Sequence, residues 1–222
     1  MSNIKLCIFD MDGLLIDSEK YIWQKGAIEI AKTYGKNLNQ SFFRKTVGSN
    51  REAYIKLLKQ EFGNDFPGEE FHQKLLDHYA YACMNEKLIL QPGVNDILKY
   101  LKNNNIKLSV ATQTDKKLAY VSLKNSNLYD YFDNVIYGDD VSKAKPNPDI
   151  YLKSVEYFNY KKEECIIFED SSIGAMAGYN ANIKVIMVPD TAIPTDYDKT
   201  HAFSIIDTID KAIPIIKKIN NL

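Results

Sequence analysis

Five short apolar runs, at 4–9, 107–111, 135–137, 165–168 and 184–188, limit this chain more than any other feature. Each is short enough for a strand and is followed by polar or turn-forming residues, so each reads as a buried strand. Between the later runs, apolar residues recur at helical spacing. Val94, Ile97, Leu98 and Leu101 fall at i, i+3, i+4 and i+7, and Leu118 and Val121 repeat the pattern. Ile150, Val155 and Phe158 follow Pro148 in a looser version. Such alternation specifies a parallel sheet with helices on both faces. The expected class is α/β, with a Rossmann-like parallel sheet as its core.

One block breaks the alternation. Residues 18–88 contain no convincing strand but hold three amphipathic patterns: Tyr21, Ile22, Ala27, Ile28 and Ala31; Ile55, Leu57, Leu58 and Phe62; and Phe71, Leu75, Leu76 and Tyr79. Gly35, Gly48, Gly63 and Pro67-Gly68 punctuate them, and Gln91-Pro92-Gly93 marks the return to the sheet. The expectation is a helical unit, 18–88, inserted into a core made of 1–17 and 89–222. Its hinges are expected at Asp17-Ser18 and Leu90-Gln91.

Composition removes several function classes. The 222 residues are 45% hydrophobic and 26% charged, which suits a packed core. A net charge of −1 gives no basic surface for nucleic acid or anionic membrane. No stretch approaches about 18 continuous apolar residues, and the first apolar run is too short for a signal peptide. A cytoplasmic location is expected, without nucleic-acid or membrane partners. Cys7, Cys83 and Cys165 are odd in number and lack metal-ligand spacing, which argues against a disulfide framework or a zinc site. His72, His78 and His201 also lack ligand spacing and are expected at the surface or in packing roles.

Chemistry concentrates after the strands. Asp10-Met11-Asp12-Gly13 places two carboxylates two residues apart. Like charges this close repel unless they share a cation or a proton. The pair therefore points to a metal site, a nucleophile with an acid/base partner, or both; a plain Asp-Gly turn is the alternative. Thr112-Gln113-Thr114 follows the second run. Gly138-Asp139-Asp140 follows the third and leads to Lys145-Pro146-Asn147-Pro148-Asp149. Glu169-Asp170-Ser171-Ser172 follows the fourth. In a doubly wound sheet these ends share one crevice. Asp10, Asp12, Glu169 and Asp170 with Lys145 and the hydroxyls suit a magnesium ion and a phosphoryl group, since magnesium favours hard oxygen ligands. Taken singly, Lys145 also reads as a solvated lysine, Glu169-Asp170 as acids at a helix N-terminus, and Thr112 as a strand-end hydroxyl.

Four clusters in this order, over nearly the whole chain, resemble the haloacid dehalogenase superfamily. The resemblance is to its branch with a helical cap after the first strand, which includes phosphoglycolate phosphatase, small sugar phosphatases and beta-phosphoglucomutase. Asp10 to Glu19 resembles the first motif, Thr112 the second, Lys145 the third, and Glu169-Asp170-Ser171 with Gly174 the fourth. The resemblance implies that Asp10 is the nucleophile and forms an aspartyl-phosphate. It implies that Asp12 protonates the leaving oxygen and then deprotonates water. Magnesium would be held by Asp10, the Asp12 backbone carbonyl and Asp170, with Glu169 direct or through water. Thr112 and Lys145 would grip phosphoryl oxygens, and the Met11 and Asp12 amides would add donors.

Departures from the pattern bear on function. Gln113 stands where the family has a smaller residue, beside the phosphate or leaving group. Asn180-Ala181-Asn182 replaces Ala-Gly, and Asn182 can take the left-handed backbone that ends a helix. Ile22 occupies the position of a mutase histidine and, in an ungapped match, Val47 that of a mutase lysine. Only Arg51 resembles the remaining basic cap residue. A mutase must retain a bisphosphate, so these losses favour hydrolysis. Selection would fall to cap residues, with Lys20, Trp23, Arg44, Lys45, Ser49, Asn50 and Arg51 as candidates. The expected activity is magnesium-dependent hydrolysis of a small sugar or polyol phosphate by a monomer. A phosphohexomutase is the alternative. A dehalogenase would need neither Asp12 nor the metal site, and a binding protein would not need the full set.

Overall fold

The computed structural model of the protein describes residues 2–46, 51–86 and 88–221, with the side chains of Tyr21 and Arg44 not described. Six parallel strands form one sheet in the order β3-β2-β1-β4-β5-β6: β1 (Leu6–Phe9), β2 (Lys107–Ala111), β3 (Asn134–Ile136), β4 (Cys165–Glu169), β5 (Lys184–Met187) and β6 (Ser204–Ile205). The five expected strands are present within two residues at their ends. β6 was not legible, because a two-residue edge strand leaves no periodic trace.

Alternation along β1 shows why the sheet is covered on both faces. Cys7 and Phe9 join one apolar cluster with Leu108, Val110, Ile166 and Phe168. Leu6 and Ile8 join another with Ala111, Cys165 and Ile167. Phe9 stacks on Phe168 at 4.8 Å between ring centroids, fixing β1 against β4. Helices α5 (Val94–Asn103), α6 (Lys116–Asn125), α7 (Asp149–Phe158), α8 (Ser172–Asn180), α9 (Asp196–His201) and α10 (Ala212–Asn220) flank the sheet. After α8, Asn182 adopts a φ of 56°, as expected for the residue that replaces glycine there. Cys7, Cys83 and Cys165 are free and buried.

Between β1 and α5 every named element of the described residues is a helix. A π-helical turn (Glu19–Gln24) runs into α1 (Lys25–Thr33), followed by α2 (Gln40–Thr46), α3 (Arg51–Phe62) and α4 (Gly68–Asn85). Ala27, Ala31, Phe42, Leu58, Phe71 and Leu75 give this segment an apolar cluster of its own. Both connections to the sheet run side by side: Ile16 bridges Leu90 antiparallel, and the Asp17 amide donates to the Ile89 carbonyl at 2.9 Å. The segment is also joined to the rest through α4, whose later residues Tyr79, Ala82 and Cys83 pack in the large cluster beside the sheet. Ile22, which stands at the position of the mutase histidine, is buried in that cluster. Val47, Ser49 and Asn50 lie outside the described residues.

Candidate active site

The chain leaves β1 toward β2 and β3, then returns to the other side of β1 as β4, so the sheet reverses direction between β1 and β4. Ligands of open α/β sheets bind at the carboxyl ends beside such a reversal. Strand pairing places the polar residues there. The Asp10 amide donates to the Phe168 carbonyl at 3.1 Å, Thr112 to Ile136 at 3.1 Å, and Val188 to Glu169 at 2.7 Å. Each bond extends a ladder by one step and fixes a side chain at the edge.

A cavity of about 980 Å³ opens over this edge, lined by Asp10, Asp12, Thr112, Gln113, Lys145, Glu169 and Asp170. All seven were singled out from sequence. A smaller cavity of about 340 Å³ adjoins it, sharing Glu19, Trp23 and Asp170 and reaching Arg51, Tyr54 and His72 of the helical segment. His72 therefore faces a cavity, not solvent or packing alone. Arg51 lines this smaller space, and its guanidinium pairs with Glu69 at 2.6 Å, with both side chains largely exposed. Lys20 pairs with Asp190 and lines neither of these cavities. The Met11 side chain is fully buried in the core, so only its backbone can serve the site. Lys45 is exposed and lines neither cavity.

Lys145 is the electrostatic centre. Its Nζ donates to Asp10 Oδ1 at 2.5 Å and to Glu169 Oε1 at 2.6 Å, and its side chain is 4% exposed. Burial alone would lower its pKa, but Asp10 and Glu169 together raise it well above the usual lysine value. Burial pushes Asp10 up to about 8, against the pull of Lys145 and with further push from Glu169. Asp170 is raised well above the carboxylate range by burial and by the charges of Glu169 and Asp10. Carboxylate oxygens of Asp10, Glu169 and Asp170 lie within 4.8 Å of one another, all buried. Buried carboxylates this close favour a shared cation. The donor set is all oxygen and fits a hard divalent ion such as magnesium. Glu169 is the least free of the three, since Lys145, Tyr151, the Asp170 and Ser171 amides and Ser171 Oγ all donate to it.

Two glycines permit this crowding. Gly13 has a φ of 84°, and a Cβ there would lie 2.3 Å from Asp170 Oδ2. A Cβ on Gly174 would lie 1.7 Å from Glu169 Oε1. The N-cap of α8 is Ser171, whose Oγ accepts from the Gly174 amide at 3.1 Å. This leaves Glu169 and Asp170 outside the helix, facing the site.

Two tyrosines were missed from sequence. Tyr151 on α7 is fully buried, and its hydroxyl donates to Glu169 Oε1 at 2.6 Å beneath Lys145. Tyr79 on α4 donates to Asp12 Oδ1 at 2.8 Å, while Thr114 Oγ1 donates to Asp12 Oδ2 at 2.7 Å. Burial raises the pKa of both phenols well above 10, so both remain donors. Glu19 is pushed up to about 7 by burial and by Asp12, Asp190 and Asp17.

A family model described as haloacid dehalogenase-like hydrolase matches residues 7–188. A phosphorylated carbohydrates phosphatase from Thermotoga maritima is 32% identical over 81% of this chain and 82% of its own length. (DL)-glycerol-3-phosphatase 2 from Arabidopsis thaliana is 30% identical over 85% of this chain and 80% of its own. Among solved structures, a hydrolase of the same family from Deinococcus radiodurans, with bound phosphate and sodium, superposes with a TM-score of 0.85. It covers 100% of this chain and 99% of its own, and at 18% identity the likeness is one of fold.

Proposed function

This chain belongs to the haloacid dehalogenase-like hydrolase family and is a phosphoric monoester hydrolase, and on that premise we propose that it hydrolyses phosphate esters of small sugars or polyols with magnesium as its cofactor. The observation that carries the reading is the Asp10–Lys145–Glu169 arrangement at the sheet reversal, with Asp12 on the same cavity.

Asp10 is the proposed nucleophile. Its oxygen forms a bond to phosphorus as the ester oxygen departs, giving an aspartyl-phosphate. Asp12 gives its proton to the departing oxygen, then takes one from the water that releases phosphate. Lys145 and Thr112 would hold phosphoryl oxygens as charge redistributes in transfer. Lys145 also opposes the effect of burial on Asp10, pulling its pKa back down. Asp10 and Asp170 would hold magnesium, with the Asp12 carbonyl as a further oxygen and Glu169 reached directly or through water. When bound, magnesium supplies positive charge that offsets the crowded carboxylates and the phosphoryl oxygens.

The helical segment 18–88 acts in this reading as a cap that selects the ester. The smaller cavity combines Trp23 and Tyr54 with Glu19, Arg51 and His72. Apolar walls with a few polar groups suit a hydroxylated carbon skeleton. Substrate preferences named for the relatives, phosphorylated carbohydrates and glycerol 3-phosphate, point the same way. Buried Ile22 supplies no group to hold the second phosphate that a mutase must retain.

The test is phosphate release from a panel of sugar, polyol and nucleotide phosphates, with magnesium or EDTA, for the parent and Asp10→Asn. Release that needs magnesium and disappears in Asp10→Asn is expected. Phosphate transfer from a sugar bisphosphate to a hexose 1-phosphate, faster than release, would overturn hydrolysis in favour of the mutase.

A further inference from the structure

Helix α4 begins in the helical segment and ends against α6. Phe71 and Leu75 lie in the segment's own cluster, whereas Tyr79, Ala82 and Cys83 lie in the large cluster beside β1. Asn125 on α6 secures that end, its Nδ2 donating to the Cys83 carbonyl at 2.9 Å. This placement brings one side chain of α4 to the carboxyl edge of the sheet. The Tyr79 hydroxyl donates to one Asp12 oxygen at 2.8 Å, and Thr114 Oγ1 donates to the other at 2.7 Å. The Tyr79 ring is itself fixed, stacked on Trp23 with centroids 5.1 Å apart.

A carboxylate on a short side chain rotates about its own axis, and a single donor leaves that rotation open. Donors on both oxygens fix its plane and leave the remaining lone pairs facing the cavity. Proton transfer to a leaving oxygen depends on that aim, because a misplaced acid loses the benefit of proximity. We propose that Tyr79, acting with Thr114, is a positioning residue that holds the Asp12 carboxylate in line for proton transfer. The proposal rests on the reading of Asp12 as the acid/base.

The test compares an alkyl ester, glycerol 3-phosphate, with p-nitrophenyl phosphate on the magnesium-loaded enzyme. Nitrophenolate leaves without protonation, whereas an alkoxide does not. In Tyr79→Phe the ring and its stacking on Trp23 are kept. Its kcat/KM on the alkyl ester is expected to fall about 10–100-fold, a part of the roughly 10²–10⁴-fold that acid/base catalysis contributes. On the aryl ester it is expected to change less than about threefold, because that leaving group bypasses the proton transfer. Thr114→Val is expected to show the same selectivity. The double variant should lose less than the product of the two, since both act on one carboxylate. Asp12→Ala separates the premise from the proposal. If its kcat/KM, which ends at departure of the alcohol and so excludes the later base step on water, falls alike on both esters, the acid role of Asp12 fails and takes the proposal with it. If it is selective but Tyr79→Phe is unchanged or loses both esters equally, the positioning role is overturned while the acid/base reading stands.

Discussion

Gly174→Ala sets two physical effects against each other. Gly174 lies inside α8, and helix propensity alone predicts that alanine stabilises by about 1 kcal/mol. The site geometry predicts the opposite. The new Cβ would sit 1.7 Å from Glu169 Oε1 and 2.0 Å from Cδ, where real contacts stay beyond 3.0 Å. Either the carboxylate or the helix must give way by more than an ångström. Glu169 is 1% exposed and accepts from Lys145, Tyr151, Ser171 and the Asp170 amide, so retreat strains or breaks several of these bonds. Overpacking costs about 1–3 kcal/mol and a lost bond to a charged group about 1.5–3 kcal/mol, so with one bond lost the net loss after the propensity gain is about 1.5–5 kcal/mol. For a chain of this size that lowers the melting temperature by about 10 °C. Thermal unfolding by circular dichroism measures it, with phosphatase activity read beside it. Adding Glu169→Asp, which draws the carboxylate back by one methylene, should recover part of the loss. A melting temperature equal to or above the parent's would refute the claim that Gly174 is there to admit Glu169.

The remaining predictions concern the groups around the same centre. Tyr151→Phe removes a donor from buried Glu169 and should cost about 1–3 kcal/mol in urea unfolding; no change would mean that Glu169 needs only its other donors. Glu19 has its pKa raised from 4.5 to about 7, first by burial and then by Asp12. The folded state therefore keeps a proton that the unfolded state has already released, and stability falls as pH rises through that window. Glu19→Gln removes this fall and should gain about 1–3 kcal/mol over the parent at pH 8 and little near pH 4.5, measured by denaturant titration in EDTA; an equal gain at both pH values would contradict it. Magnesium should raise the parent's melting temperature in a concentration-dependent way and leave Asp170→Asn nearly unshifted, as expected for an ion that binds only the folded site; an equal shift in both would place the ion elsewhere.

The parts of this molecule that sequence made legible share a physical cause. Asp10 and Glu169 are polar residues that interrupt apolar runs at the ends of buried strands, and such an interruption is costly unless the groups meet partners. The class of fold was legible for the same reason that β6 was not. Buried central strands such as β1 and β4 are continuous apolar runs, whereas Ser204–Ile205 is a short edge pairing with one polar member.

Tyr79 and Tyr151 were hidden by the pattern that reveals helices. Tyr79 continues the stripe of Phe71 and Leu75, and Tyr151 follows Ile150 on a helix that turns Val155 inward. Each ring does pack in an apolar cluster, so the stripe predicts the burial correctly and says nothing of the hydroxyl. A buried phenol, however, needs a hydrogen-bond partner. The nearby polar groups most in need of donors are the carboxylates gathered at the sheet edge, and each phenol ends on one of them: Tyr79 on Asp12 and Tyr151 on Glu169. A tyrosine within an apolar helical stripe, in a chain that collects acids at its strand ends, is therefore itself a signal. Its ring reports the core, and its hydroxyl shows where the core supports the acid cluster.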